Sequence, residues 1–181
     1  QDPRVKLPES PVGGKAPATT ATALAQDAFL QSNTAEAPQI VARINLSGES
    51  ASLACTMYGT PVTCLLDSGA THSLISDQQV RKIERITGIK RTGSSVRIDG
   101  LYGSPKSALG TFDANLKFGA NRVPQTFLII DDTSNLSTPV LLGFDFMSQH
   151  KVNIDYDDWT ATIDNQTYPL VEEKSTVGAT A

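Results

Sequence analysis

The chain has 181 residues, 39% of them hydrophobic and 19% charged, with a formal net charge of −4. That is enough for one domain with tails. The acidic balance argues against a phosphate-backbone binder, and no apolar run nears the roughly 20 residues of a membrane helix, so neither nucleic acid nor membrane is an expected partner.

Residues 1–37 are punctuated by Pro3, Pro8, Pro11, Pro17, Gly13 and Gly14, with Ala, Thr, Ser and Gln between them. Such a stretch buries little apolar area against its ordering entropy. It reads as a flexible linker, residues 38–169 as the folded domain, and 170–181 as a flexible tail. Residues 53–58 and 62–66 read as strands around a turn at Gly59-Thr60. That turn would pair Tyr58 with Pro61 and place Cys55 opposite Cys64, as two buried thiols in a reducing cytosol or as a cross-strand disulfide. Ser76-Asp77-Gln78-Gln79 has the form of a capping box, with Val80, Ile83 and Ile86 on one stripe and Gly88 as the stop. In residues 111–118, Phe112, Ala114, Leu116 and Phe118 alternate with polar residues, the mark of a half-buried strand. A turn at residues 119–121 leads into an apolar run at 123–130, whose Pro124 argues for a sheet edge. A short helix at 144–150 and a strand at 159–163 complete a mostly β class with one or two short helices. Cys55, Cys64, His72 and His150 match no common zinc spacing, so neither metal nor cofactor is expected.

The chemistry-bearing segment is Cys64-Leu65-Leu66-Asp67-Ser68-Gly69-Ala70-Thr71, an apolar strand that runs directly into Asp-Ser-Gly. A carboxylate at the end of a buried strand is costly unless something pairs or uses it. The plain alternative is an ordinary Asp-Ser-Gly turn. A second apolar-apolar-Gly element, Leu141-Leu142-Gly143, precedes the predicted helix at 144–150. A Ser68–His72 nucleophile pair is disfavoured because no Gly-x-Ser-x-Gly elbow exists. His150 reads as a helix-end residue near carbonyls.

Together, LLDSGATHSLIS at residues 65–76 and VLLGFDFMSQHKVNIDY at 140–156 resemble the retropepsins, the aspartic proteases of retroviruses and long-terminal-repeat retrotransposons, most of all the Ty3/gypsy branch. The resemblance implies a retropepsin-like acid-protease half-barrel. It makes Asp67 the catalytic carboxylate, with Ser68, Gly69, Ala70, Leu141, Leu142 and Gly143 supporting the active-site loop. It also implies a flap over substrate at VRIDGLYG, residues 96–103, which includes Ile98, Asp99, Gly100, Leu101, Tyr102 and Gly103. Retroviral members often carry Asp two residues after the Ala-type position, whereas here Thr71 and then His72 follow Ala70, and Phe144 replaces the family's Arg, which puts retrovirus-like salt bridges in doubt.

Aspartic proteolysis needs two carboxylates sharing a proton, and this chain has one Asp-Ser-Gly. A C2 homodimer is therefore expected, with strands at 38–44 and 152–156 knitting the interface as the resemblance implies. The expected substrate is an extended peptide segment of a Gag–Pol-type polyprotein, lying as a strand between flap and catalytic floor. The expected location is the cytosol, with virus-like particles as one setting. The alternative is a non-catalytic dimerisation or peptide-binding module, like ubiquitin-linked retropepsin homologues. Tyr168-Pro169 and Phe29-Leu30 are candidate processing junctions. The competing reading of Tyr168 is a packing residue in a hairpin that turns at Asp164-Asn165.

Overall fold

The architecture follows from short alternating strands, and a computed structural model describes residues 40–46, 51–134 and 136–172. β1 (Val41–Arg43), set apart from the barrel, is followed by β2 (Ala51–Met57) and β3 (Thr60–Leu66), an antiparallel hairpin. Its turn is Tyr58-Gly59, both in the left-handed region at φ 50° and 79°. A two-residue turn with two positive φ values matches the right-handed twist of its strands. The expected turn at Gly59-Thr60 is therefore displaced, and so is the register: Cys55 faces Val62 and Cys64 faces Leu53. The two free thiols lie diagonally on one buried face, their sulfurs 3.2 Å apart. Their hydrogen bond, together with burial, pushes the Cys64 thiol well above its ordinary pKa.

Three further elements come next: β4 (Leu74–Ser76), α1 (Asp77–Thr87) and β5 (Arg97–Asp99). The Ser76 hydroxyl accepts from the Gln79 N–H at 3.2 Å, and Gly88 closes α1 in the left-handed region, as expected from the sequence. Val80 and Ile83 are buried, but Ile86 is 58% exposed, one turn past the barrel wall. The capping box is half formed, because the Ser76 N–H donates to Pro139 O at 2.9 Å instead of to the Gln79 side chain.

After β6 (Lys106–Ser107), β7 (Thr111–Phe118) and β8 (Asn121–Ile130) form the long hairpin whose alternation the sequence displays. Pro124 sits where β8 has β7 on one side only, since parallel β4 joins β8 at Leu128–Ile130. With β9 (Val140–Leu142) the strands close into a barrel of order β2-β3-β9-β4-β8-β7. α2 (Phe144–Gln149) leads to a separate sheet of β10 (Asn153–Asp155), β11 (Thr160–Ile163) and β12 (Gln166–Pro169).

The folded body passes Pro169: Leu170 is 4% exposed and donates to Trp159 O, and Val171 donates to Ser52 O. One apolar cluster fills the barrel. A second, including Ala42, Ile44, Ala70, Leu74, Ile98, Leu101 and Leu141, lies between the barrel's Asp67 end, β1 and β5. No helix among the described residues is long and apolar enough to cross a membrane.

Candidate active site

β3 and β9 run parallel, with Leu65 beside Leu141 and Leu66 beside Leu142, so the two motifs predicted from the sequence end side by side. The Asp67 N–H donates to Leu142 O at 3.0 Å, and the Phe144 N–H to Ala70 O at 2.7 Å. Gly143 is required here by close approach, because a Cβ would stand 2.7 Å from His72 O and 2.8 Å from Ala70 O. Ala70, Leu141 and Leu142 are fully buried beneath the loop, while Ser68 and Gly69 are exposed.

Asp67 itself is 2% exposed. Its Oδ1 accepts the Gly69 N–H at 2.9 Å, and its Oδ2 has no partner among the described residues. Burial raises its pKa above the ordinary carboxylate value, and the Gly69 hydrogen bond offsets part of that rise. A buried carboxyl with one unpartnered oxygen and a raised pKa is a group held ready to share a proton.

Two supporting residues escaped the sequence reading. Ser73 is fully buried; its hydroxyl donates to Asp145 Oδ1 at 2.7 Å and accepts from the Gly143 N–H at 3.0 Å. Asp145 also accepts from Ser73 N–H, Gln125 Nε2 and Phe146 N–H. This knot ties the strand after the Asp67 loop to the start of α2. Its only signal in the sequence is a polar residue beside each motif, which has no period. Phe144, where retroviral members carry Arg, is 58% exposed.

β5 and β6 form an antiparallel hairpin across residues 97–107, where the flap was expected. Ile98 and Leu101 are buried in the second apolar cluster, Tyr102 is half-buried, and Asp99, Gly100 and Gly103 are exposed. The Lys106 ammonium lies over the Tyr102 ring, 5.0 Å from its centroid, and pairs with Asp131. That pairing, with the Thr133 hydroxyl, draws the Asp131 pKa down to about 2.

The expected interface strand at 38–44 is placed differently within the described residues. β1 pairs in parallel with β5, and Ile44 bridges Ala70 on its other edge, so both of its edges are filled within the chain. β10, at the end of its sheet, has β11 as its only strand partner among the described residues. His72 Nδ1 is 2.7 Å from Thr71 Oγ1, so its near partner is Thr71 and not Ser68. His150 caps α2, stacks on Phe146 and places Nδ1 2.8 Å from Asp164 Oδ2. Tyr168 packs on Phe118 and bonds Asn121, in a hairpin that turns at Asp164-Asn165, which supports its packing role. Phe29-Leu30 lies outside the described residues.

A sequence profile of the family described as aspartyl protease matches residues 53–146, a little over half of the chain. The chain belongs to the aspartyl protease family. Among solved structures, this aspartyl protease is similar to the retroviral protease-like domain of Ddi1 from Leishmania major, at 18% identity and a TM-score of 0.53, over 70% of this chain and 97% of that one. It also matches the EIAV protease complexed with the inhibitor HBY-793, at 16% identity, TM-score 0.45, over 62% and 98% of the two chains. A retropepsin-like aspartic protease from Rickettsia conorii matches at 17% identity, TM-score 0.43, over 64% and 83%. The first likeness establishes a retropepsin-like fold. No curated protein matches the sequence.

Proposed function

We propose that the chain is an aspartic endopeptidase of retropepsin type, active as a homodimer in which Asp67 of each copy meets at the two-fold axis. The observation that carries this reading is Asp67 itself, buried at the mouth of the β3–β9 pair with one oxygen held by Gly69 and the other unpartnered. Two such carboxyls about 3 Å apart cannot both ionise, so the pair retains one proton. The ionised member takes a proton from a water, which attacks the peptide carbonyl, while the protonated member donates a hydrogen bond to the carbonyl oxygen. Ser68, exposed beside Asp67, braces the facing loop in this reading. The outer edge of β10 pairs across the axis. Ile98 to Gly103 serve as the flap, and an extended peptide is the substrate. A Gag–Pol-type polyprotein of a Ty3/gypsy-type element is the source that the motif wording supports. The second reading, a non-catalytic peptide-binding module, draws on the groove already holding β1.

Peptide hydrolysis measured against chain concentration tests both parts. Asp67→Asn should lower the rate by about 10²–10⁴-fold. Specific activity should fall on dilution in step with dissociation seen by ultracentrifugation, and the pH profile should be bell-shaped. An Asn variant as active as the wild type would overturn the catalytic assignment.

A further inference from the structure

β1 occupies the groove between the 97–107 hairpin and the Asp67 loop, held on both edges. On one edge, the Ile44 N–H donates to Asp99 O at 2.8 Å and the Arg97 N–H donates to Ile40 O at 3.0 Å. On the other edge, the Asn45 N–H donates to Gly69 O at 3.3 Å, and the Thr71 N–H donates to Arg43 O at 2.9 Å. The Arg43 N–H donates to Thr71 Oγ1 at 3.0 Å. An extended segment hydrogen-bonded to a hairpin above and a loop below is bound by strand addition, with alternate side chains read by pockets. The alternation is present here: Ala42 and Ile44 are buried among Ala70, Leu74, Ile98 and Leu141, while Val41 and Arg43 are exposed.

The strand meets the Asp67 loop at Asn45. Its carbonyl oxygen and Oδ1 of Asp67 lie 2.6 and 3.1 Å from the single point where a Gly69 Cβ would stand. The Asn45–Leu46 peptide carbonyl therefore lies over the Asp67–Gly69 turn. Gly100 closes on the strand from the hairpin side so tightly that a Cβ would overlap Ile44 O. Two surface clefts, of about 560 and 620 Å³, are not lined by Asp67. The groove above Asp67 is filled by the chain itself.

We propose that residues 40–45 are bound as the acyl side of a substrate in the enzyme's own groove, and that the Asn45–Leu46 bond is a self-cleavage site. The inference rests on the reading of Asp67 as catalytic. Hydrolysis breaks the C–N bond; the water's hydroxyl goes to the Asn45 carbonyl carbon and its remaining hydrogen to the Leu46 nitrogen. No other reactant is needed. After the cut, residues 40–45 keep their backbone hydrogen bonds, so the product strand masks the groove until it dissociates. The buried Ile44 makes the residue before the one at the cut an aliphatic specificity position.

The full-length chain, incubated at mildly acidic pH and followed by mass spectrometry, should yield a fragment that begins at Leu46. Asp67→Asn should not yield it. Ile44→Asp should slow it by about tenfold or more, and Ile44→Val should preserve it. A synthetic peptide with the sequence of residues 39–50, added in excess, should be cut between Asn and Leu. The Ile44→Asp chain, its groove opened, should cut it about tenfold faster than the wild type. If Ile44→Asp disturbs folding, Arg43→Pro serves instead, since it deletes the donor to Thr71 Oγ1 in an exposed side-chain position. If an unrelated apolar peptide is hydrolysed in an Asp67-dependent way but no Leu46 end forms and the 39–50 peptide stays intact, the self-cleavage site is wrong and the catalytic reading stands. If none of the chains hydrolyses any peptide or binds a statine-containing inhibitor, both fall. A Leu46 end that forms equally fast in Asp67→Asn also overturns the proposal.

Discussion

At the scale of single residues, Asp67 carries the cost of a buried carboxyl, the group that the proposed chemistry uses. Its folded pKa is raised by burial, so the folded chain holds more protons than the unfolded chain between the ordinary value of 3.8 and the raised one. Stability from this group therefore falls as pH rises through that window. Asp67→Asn should melt higher than the wild type at neutral pH, and the difference should vanish below pH 3.8, as thermal scans across pH will test. Equal melting temperatures at neutral pH would mean that Asp67 is not desolvated. Asp145 acts through its neighbours. Asp145→Ala removes the acceptor of the Ser73 hydroxyl and N–H and one of the two acceptors of Gln125 Nε2, which keeps Thr126 O, and should cost about 2–3 kcal/mol in denaturant unfolding. At a pH and temperature where the variant stays folded, kcat should fall with KM little changed. A fall in KM-dependent binding alone would assign Asp145 to substrate contact.

At the scale of elements, the 97–107 hairpin is fastened at its base by Lys106 and Asp131, with Tyr102 under the ammonium. Asp131 is held down to about pKa 2, so this contact contributes fully above the ordinary value of 3.8 and is lost as pH falls toward 2. The pair is half exposed on the Lys106 side, so its effect on global stability stays under about 1 kcal/mol. Its effect on the hairpin is local. Lys106→Gln should speed amide exchange at residues 97–107 at neutral pH, and the wild type should approach that behaviour only near pH 2. In α1, the Ser76 cap is the sequence feature whose energetics are simplest, and Ser76→Ala should lower stability by about 1 kcal/mol in urea unfolding.

At the scale of the whole molecule, one chain closes a barrel, and among the described residues it brings only one buried carboxylate, Asp67. The proposed activity is thus a property of two copies, and the proposed self-cleavage links it to the chain's own leading segment. β1 lies against the hairpin, the Asp67 loop and the second apolar cluster at once. Opening the groove to another peptide requires all three contacts to be given up together. Concentration dependence and groove masking are separable, because dilution changes the first and Ile44 substitutions change the second.

The local periodic features were legible in the sequence. The alternation of Phe112, Ala114, Leu116 and Phe118, the Ser76 cap and Gly88 stop, and the strand leading into Asp67 each depend on neighbours within a few residues. So did the pairing of Asp-Ser-Gly with Leu141-Leu142-Gly143 as one family signature. Turn conformation was ambiguous in the sequence: Tyr58, a bulky residue, takes the left-handed turn position, and that moves the Cys55 and Cys64 partners. β4, of three residues, is too short to show a period, and exists because β8 and β9 flank it. Ser73 and Asp145, 72 positions apart, meet only because parallel β3 and β9 end together. The placement of β1 was decided last of all. A strand at 38–44 was implied by the resemblance, but which edge it joins is set by backbone hydrogen bonds to β5 and the Asp67 loop, and backbone groups are the same at every residue.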